Sequence, residues 1–333
     1  MSLKKIALEE HLASPETLKD SLDLLPREIW PKFRQYLLDV HGQLLVEMDA
    51  TGIEMSVLSI NSPAIQGIIS TQHAVELARR CNDHMAEQVI KAPTRFQAFA
   101  ALPMQDPEVA ARELHRCVSE LGFCGALVNS FSQVGVEDSA VYYDLPQYWG
   151  FWGEVEKLRV PFYLHPRDPL ESRTTFLEGH PWLRSAAWAF TLDTATHALR
   201  LMGSGLFDKY PGLNIILGHL GETLPFLMWR VTKRVATTPR GVPAKKPMRD
   251  YFQNNFYVTT SGNFCTETLA NTIAWLGADR ILFAVDYPFE QVREATAWFD
   301  QLTTVSREDL AKIASGNARK LLRLEKQAKA AAR

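Results

Sequence analysis

The stretch Leu213-Asn214-Ile215-Ile216-Leu217-Gly218-His219 joins a short apolar run to a histidine. Both faces of a strand formed here would be mostly apolar, which is typical of a parallel sheet that is covered by other parts of the fold on each side. The run is far shorter than the ~20 residues that span a bilayer. It therefore predicts a buried parallel strand that has a histidine at its carboxyl end.

The same pattern of a short apolar run occurs eight times, and most of the runs are separated by a longer amphipathic stretch. The clearest helical stretch is 107–121, where Pro107 suits the first turn and Gly122 ends the helix. Residues 71–91 have a similar helical periodicity. This alternation is typical of a parallel α/β protein. The eight predicted strands are 5–8, 55–61, 96–102, 125–129, 160–165, 213–218, 256–260 and 280–285.

Eight strand units predict one (β/α)₈ TIM barrel, which needs ~250 residues plus insertions. Length alone would also allow two domains, but no Gly-x-Gly-x-x-Gly loop of a dinucleotide-binding sheet follows an early strand. We therefore expect a single domain over 1–333 with a C-terminal helix at about 306–328. Insertions after strands 1 and 5, at 12–44 and 166–190, would lie beside the active face of a barrel and are candidate lids or subunit contacts.

Composition excludes several classes of function. The 333 residues are 46% hydrophobic and carry a formal net charge of −2, as in a globular protein with a large core and no basic surface for nucleic acid. The basic N-terminus is followed by Glu9 and Glu10 and not by an apolar signal core, so neither export nor membrane insertion is expected. The expected partner is a small molecule.

The four cysteines, Cys81, Cys117, Cys124 and Cys265, include no Cys-x-x-Cys pair. This spacing suits a reducing compartment, so we expect a cytoplasmic protein. The cysteines are expected to be buried small hydrophobic residues and not metal ligands.

Polar side chains stand at the ends of four predicted strands. Glu9 and His11 are two residues apart and so project from one face of the first strand, while His165, His219 and Asp286 end the fifth, sixth and eighth. In a barrel these ends meet at one mouth. Asp286 alone could equally cap a helix, but the group as a whole favours a metal site, because a bound cation would compensate the buried charge.

Four short motifs surround these residues: Ala7-Leu8-Glu9-Glu10-His11, Tyr163-Leu164-His165-Pro166-Arg167, Leu217-Gly218-His219-Leu220-Gly221-Glu222 and Asp286-Tyr287-Pro288-Phe289. Over essentially the whole chain the sequence resembles the amidohydrolase-related decarboxylases. The likeness is greatest to the group that acts on γ-resorcylate (2,6-dihydroxybenzoate). Relatives that act on 2,3-dihydroxybenzoate or salicylate tend to have alanine at the position of His11.

The resemblance implies an amidohydrolase-like barrel that holds one divalent metal ion, Mn²⁺ or Zn²⁺, on Glu9, His11, His165 and Asp286, without an organic cofactor. Two imidazoles and two carboxylates suit either ion, whereas Mg²⁺ prefers oxygen ligands alone. Related hydrolases often carry a bridging lysine at the end of strand 4. Residues 128–130 contain none, so we expect a single metal ion.

The resemblance also implies non-oxidative, reversible decarboxylation of an ortho-hydroxylated benzoate, with 2,6-dihydroxybenzoate giving resorcinol and CO₂. Asp286 would be the acid, His219 and Glu222 a proton relay, and Arg230 a ligand for the substrate carboxylate or a hydroxyl. His219 and Glu222 could instead be a hydrogen-bonded pair that supports the loop, and Arg230 an ordinary surface residue.

Aromatic side chains provide the remaining expectations. Phe190 and Phe289 could form walls for an aromatic ring or belong to the core. His180 and His197 are expected to be packing residues. The unusually aromatic segment 180–190 suggests a lid or a contact in a homodimer or homotetramer.

Three other functions remain open on the sequence. The same metal could activate water in a hydrolase of a lactone or amide. The chain could decarboxylate a related hydroxybenzoate. It could also be a non-catalytic barrel whose metal has a closed coordination shell.

Overall fold

The computed structural model describes residues 3–24 and 27–324. Eight parallel strands pair in chain order, so each strand lies beside its neighbours in the sequence. This confirms the predicted (β/α)₈ barrel. The strands are β1 (Lys5–Leu12), β2 (Ile53–Ile60), β3 (Phe96–Ala100), β4 (Gly125–Asn129), β5 (Phe162–His165), β6 (Ile215–Leu217), β7 (Phe256–Thr259) and β8 (Ile281–Leu282).

Backbone hydrogen bonds between β1 and the segment that follows β8 complete the barrel. The Leu8 amide donates to the Phe283 carbonyl at 3.2 Å, and the Asp286 amide donates to the Glu9 carbonyl at 2.9 Å. The His11 amide then donates to the Tyr287 carbonyl at 2.6 Å. The first strand and the residues after the last are therefore in register at the carboxyl end of the barrel.

Helices follow the strands and cover the barrel. Two of them lie at the predicted helical stretches, 71–91 and 107–121. The helix at 107 begins after Asp106, whose side chain accepts from the Glu108 and Val109 amides, with Pro107 in the first turn. The α-helices are α1 (Trp30–Leu38), α2 (Leu45–Thr51), α3 (Thr71–Lys91), α4 (Pro107–Ser119), α5 (Trp149–Leu158), α6 (Ala189–Gly203), α7 (Leu206–Lys209), α8 (Leu224–Thr237), α9 (Met248–Asn255), α10 (Thr266–Leu276), α11 (Val292–Asp300), α12 (Arg307–Ala311) and α13 (Asn317–Leu322).

The core has two parts, one between the strands and the helices and one inside the barrel. The interior of the barrel is filled with apolar side chains towards the amino ends of the strands, so polar groups can meet only at the carboxyl ends. The fully buried side chains of this inner cluster include Ile6, Leu8, Val57, Phe99, Tyr163, Ile216 and Leu282.

Both predicted insertions are irregular. After β1 the chain forms a 3₁₀ turn, α1 and a π turn, and after β5 it forms four short 3₁₀ turns before α6. At the C-terminus α12 and α13 are joined by a π turn over Lys312–Gly316. Within the described residues α13 ends at Leu322, before Arg323 with a φ of 54°. The predicted helix to about 328 extends into residues 325–333, which lie outside the described part of the chain.

Three of the four cysteines are buried, as expected for small hydrophobic residues, and the fourth is not. Cys81, Cys117 and Cys124 are buried and Cys265 is half-buried, and all four thiols are free. Among the described residues, no helix has the length and apolar character needed to cross a bilayer.

Candidate metal centre

Glu9, His11, His165 and Asp286 meet at the carboxyl end of the barrel. Each presents one ligand atom, and these four atoms all lie within 4.8 Å of one another. Glu9 and His11 project from β1, His165 ends β5, and Asp286 follows β8. The group predicted from the resemblance is therefore spatially compact, although its members are up to 277 positions apart in the chain.

Two polar atoms of this cluster are buried without a hydrogen-bond partner among the described residues, Glu9 Oε1 and His11 Nε2. Glu9 Oε1 lies 3.2 Å from His165 Nε2, and His11 Nε2 lies 3.2 Å from Asp286 Oδ1. Buried polar atoms without partners are costly. Two imidazole nitrogens and two carboxylate oxygens are a donor set for Mn²⁺ or Zn²⁺, so the residues fit a bound divalent cation.

The second nitrogen of each imidazole is hydrogen-bonded within the barrel. His11 Nδ1 lies 3.1 Å from Ser59 Oγ on β2, and His165 Nδ1 lies 2.8 Å from Asn129 Oδ1 at the end of β4. Because the Asn129 oxygen can only accept, His165 Nδ1 carries a proton and its Nε2 keeps a lone pair. Such partners fix the ring orientation that metal ligation requires.

Glu9 is a fully buried carboxylate in an unusual electrostatic setting. Burial alone would raise its pKa, but His219, and then His165 and His11, hold the pKa of Glu9 well below its ordinary value. Glu9 is therefore a carboxylate with one oxygen available to the cluster.

Asp286 lies in a strained turn and not at a helix N-terminus. Its φ is 81°, and α11 begins only at Val292, after Gln291, so the helix-capping alternative is wrong. The Glu10 carboxylate accepts from the Val285 amide at 3.1 Å and the Tyr287 amide at 3.3 Å. The two amides come directly before and after Asp286 in the chain, so these hydrogen bonds connect its turn to β1.

Glu10 is itself almost fully buried. Burial raises its pKa well above the ordinary value, against the hydrogen bonds from the Val285 and Tyr287 amides. Sequence reasoning gave Glu10 no role, although its position between two candidate ligands was a signal that it faces the opposite side of β1.

His219 and Glu222 lie in a left-handed turn between β6 and α8. Each residue from His219 to Thr223 has a positive φ, between 53° and 91°. His219 Nδ1 and Glu222 Oε1 are 2.6 Å apart, and the Thr191 hydroxyl donates to Glu222 Oε2 at 2.6 Å. The pair therefore lies in the loop before α8, and its hydrogen bond fits both the relay and the loop-support interpretation.

The other nitrogen of His219 faces the ligand cluster. His219 Nε2 lies 3.7 Å from Asp286 Oδ2 and 3.8 Å from Glu9 Oε1. Gly262 makes room for the ring, since a Cβ there would lie 3.1 Å from His219 Cδ2. Burial lowers the pKa of His219, but the negative charges of Glu222 and Glu9 raise it by more than burial lowers it. The pKa of His219 therefore lies well above the ordinary value.

A cavity of about 700 Å³ opens beside this cluster. Its lining includes Phe190, His219, Glu222, Phe226 and Asp286. Its volume suits a small molecule. His219 and Glu222, the two relay candidates, therefore line the same cavity as Asp286 and Phe190, one of the two predicted aromatic walls.

Of the two other residues predicted to bind substrate, Phe289 is near the cluster and Arg230 is not. The Phe289 ring lies 5.8 Å from the His11 ring and 5.7 Å from the Phe33 ring of the first insertion. Arg230 is exposed on α8 and does not line the cavity.

His180 and His197, the two histidines expected to be packing residues, lie outside the cluster. His197 is buried on α6 and accepts from the Tyr143 amide at 3.0 Å, as a packing residue would. His180 lies in the second insertion, with its ring 6.0 Å from that of Trp182.

Comparison with known proteins adds to this geometry. The sequence profile described as amidohydrolase matches residues 39–324. The chain is 56% identical to the γ-resorcylate decarboxylase of Polaromonas sp. (strain JS666) over 97% of its own length and 99% of the relative.

Two solved structures are similar. A 2,6-dihydroxybenzoate decarboxylase complexed with 2,6-dihydroxybenzoate superposes with a TM-score of 0.94 at 54% identity, covering 96% of this chain and 99% of that one. A dihydroxybenzoic acid decarboxylase from Polaromonas sp. JS666, with bound manganese and the inhibitor 2-nitroresorcinol, gives 0.94 at 56% identity, over 97% and 98%.

Proposed function

The chain belongs to the amidohydrolase family, among its γ-resorcylate decarboxylases, and from this premise we propose that it converts 2,6-dihydroxybenzoate to resorcinol and CO₂ without oxidation. The observation that carries this proposal is the position of Asp286. One of its carboxylate oxygens lies in the ligand cluster, while the other faces His219 in a cavity of suitable size.

Glu9, His11, His165 and Asp286 would hold one divalent ion, Mn²⁺ or Zn²⁺. When bound, such an ion would act as a Lewis acid towards the carboxylate and ortho hydroxyl of the substrate and favour the phenolate form. A manganese-containing structure of a relative supports Mn²⁺ as the first choice. Phe190, which lines the cavity, and Phe289, which lies near His11, would position the ring.

The chain's own chemistry is a proton transfer. CO₂ cannot leave an intact aromatic ring easily, because the resulting carbanion lies in the ring plane and has no resonance stabilisation. We assign to Asp286 the transfer of a proton to the ring carbon that bears the carboxylate, so an O–H bond breaks and a C–H bond forms. The C–C bond then breaks, its electron pair restores the aromatic ring, and CO₂ leaves.

After the transfer Asp286 is a carboxylate and must regain a proton. His219 is suitably placed, because its Nε2 faces Asp286 Oδ2 and its Nδ1 is hydrogen-bonded to Glu222. Glu222 would orient the imidazole and favour its protonated form. Asp286, His219 and Glu222 are therefore the proposed catalytic residues.

The experiment that tests this function offers the purified protein 2,6-dihydroxybenzoate, related hydroxybenzoates and a set of lactones and amides. Resorcinol and CO₂ released from 2,6-dihydroxybenzoate in a metal-dependent manner is the expected result. Hydrolysis of a lactone or amide without release of CO₂ would overturn the proposal. Metal analysis of the same samples identifies the ion.

We also propose that the chain forms a homodimer or homotetramer. Phe226 on α8 is 81% exposed, Trp229 is 67% exposed, and Trp182 in the second insertion is 68% exposed. Exposed aromatic side chains of this size are typical of protein interfaces. Light scattering on the wild-type protein and on Trp229→Ser tests the assembly, and a wild-type monomer would contradict it.

Two smaller proposals accompany this one. Arg230 lies on α8 beside Trp229, and we propose that it orients the substrate. This role would require α8 or a neighbouring copy of the chain to bring Arg230 to the cavity.

The four free thiols suit the reducing cytoplasm, which we propose as the compartment.

A further inference from the structure

Three buried hydroxyl groups lie beside Glu9, and the proposed chemistry does not use them. They belong to Tyr163 on β5, Thr259 on β7 and Ser261 just after β7. All three residues are fully buried. We call them the hydroxyl chain.

The hydroxyl chain is a connected hydrogen-bond network, in which the Tyr163 and Thr259 oxygens lie 2.8 Å apart. The Tyr163 hydroxyl donates to Glu9 Oε2, and the Thr259 hydroxyl donates to the same oxygen at 3.1 Å. Ser261 Oγ lies 2.9 Å from Thr259 Oγ1 and accepts from the His219 amide at 3.2 Å. With Tyr163 and Thr259 donating to Glu9, the Thr259 oxygen is free to accept from Ser261, so each of the three protons has an acceptor.

This arrangement makes the two oxygens of Glu9 unequal. Oε2 receives two hydrogen bonds from the hydroxyl chain, and such bonds to a carboxylate are stronger than neutral ones. Oε1 is buried without a hydrogen-bond partner and lies 3.2 Å from His165 Nε2. The side chain of Glu9 is thus held with a single oxygen facing the other candidate ligands.

The turn that carries His219 packs against the same groups. A Cβ added at Gly218 would lie 3.2 Å from Glu9 Oε2 and 3.3 Å from Ser261 Oγ. Glycine at this position lets the backbone before His219 approach both Glu9 and the hydroxyl chain.

We infer that Tyr163, Thr259 and Ser261 are positioning residues, which hold Glu9 as a one-oxygen metal ligand and connect that ligand to the turn of His219. The inference rests on the metal site of the proposed function. Hydrogen-bond partners of metal ligands fix the ligand geometry, and their removal typically lowers metal affinity about 10- to 100-fold.

The test is Mn²⁺ binding to the metal-free protein, measured by calorimetry at a temperature where every variant is folded. Tyr163→Phe and Thr259→Val remove one hydroxyl each and should weaken binding about 10- to 100-fold. Thr259→Ser keeps the hydroxyl and should bind like the wild type. Tyr143→Phe is the matched control, because Tyr143 is also fully buried and its hydroxyl lies 2.9 Å from Ser132 Oγ.

The outcomes separate this inference from the proposed function. If the wild type binds Mn²⁺ and Tyr163→Phe and Thr259→Val bind as tightly as Tyr143→Phe, the hydroxyl chain is only structural and the inference is overturned. If the wild type itself binds no divalent ion, the metal centre is wrong and the inference fails with it. If Tyr163→Phe does not fold, a difference between Thr259→Val and Thr259→Ser supports the inference, and equal binding overturns it.

Discussion

Two walls enclose the cavity, and they differ in how their side chains are held. The inner wall is the rim of the barrel, where Asp286 and His219 line the cavity. Behind them Glu9 and His11 are buried and are hydrogen-bonded to other strands of the barrel. The outer wall is formed by the start of α8 and the end of the second insertion, where Phe226 and Trp188 line the cavity and remain 81% and 43% exposed.

The difference indicates that the inner wall determines the geometry of the chemical step and the outer wall determines the shape of the cavity. Directional hydrogen bonds fix the inner wall, and proton transfer depends steeply on such geometry. Apolar contacts of the outer wall are not directional, so substitutions there should alter fit more than turnover. The expected effects on turnover therefore decrease from Asp286 outwards.

The largest effect is expected for Asp286→Asn. The amide is similar in shape but cannot transfer the proton, so we expect kcat to fall about 10²- to 10⁴-fold. Resorcinol release measures the loss, and metal analysis of the same sample separates lost chemistry from lost metal. Asp279→Asn, at an exposed carboxylate beside Lys312, is the control and should retain kcat. Wild-type turnover in Asp286→Asn would exclude Asp286 as the acid.

Glu222→Gln should have the next largest effect. It weakens the 2.6 Å hydrogen bond that orients His219, and bonds to charged groups contribute about 1.5–3 kcal/mol, which corresponds to a loss of roughly 10- to 100-fold in kcat. Glu267→Gln is the matched control, because Glu267 lines the same cavity but is exposed. Equal kcat values for the two variants would favour loop support over a relay.

The inner wall was largely predictable from the sequence. The apolar runs before His165, His219 and Asp286 predict strands, and a parallel barrel requires that their ends converge. The resemblance then selects the ligand set that the structure brings together. The predicted strand 280–285 is an exception, since β8 has only two residues. The Phe283 amide donates to the Ile313 carbonyl and not to a neighbouring strand, and sequence periodicity does not reveal such a partner.

The supporting residues were not predictable. Tyr163 and Thr259 have the residue types of ordinary strand positions, and only the closed barrel brings their hydroxyls to Glu9. Thr191 and Glu222 are 31 positions apart, so their hydrogen bond depends on how α6 docks on the loop after β6. The exposure of Arg230 is likewise a property of how α8 packs.

Thr191→Val tests whether the outer wall influences the relay. Thr191 lies in the first turn of α6, directly after the second insertion, and its hydroxyl donates to Glu222. This bond acts on His219 only through Glu222, so its removal should cost less than the loss of the Glu222 carboxylate, about 1 kcal/mol, and kcat should fall several-fold. Thr191→Ser should restore it. If Thr191→Val and Thr191→Ser have the same kcat, the two walls are independent at this point.

The smallest effect on turnover is expected for His197→Gln, which instead changes how stability depends on pH. His197 is buried on α6, where it accepts from the Tyr143 amide. Burial, assisted by Arg200, lowers the pKa of His197 to about 3. The folded protein therefore keeps this imidazole neutral under conditions in which the unfolded chain protonates it.

Because the pKa of His197 is depressed in the folded state, the unfolded state binds more protons between pH 3 and ~6.5, and stability falls as the pH drops below ~6.5. The contribution approaches about 1.4 kcal/mol per pH unit well below that value. Urea unfolding at pH 5 and pH 7.5 should show a smaller pH difference in His197→Gln than in the wild type, with similar kcat. An equal difference would mean that His197 is not held neutral, and that the attachment of α6 behind the outer wall is looser than its buried contacts indicate.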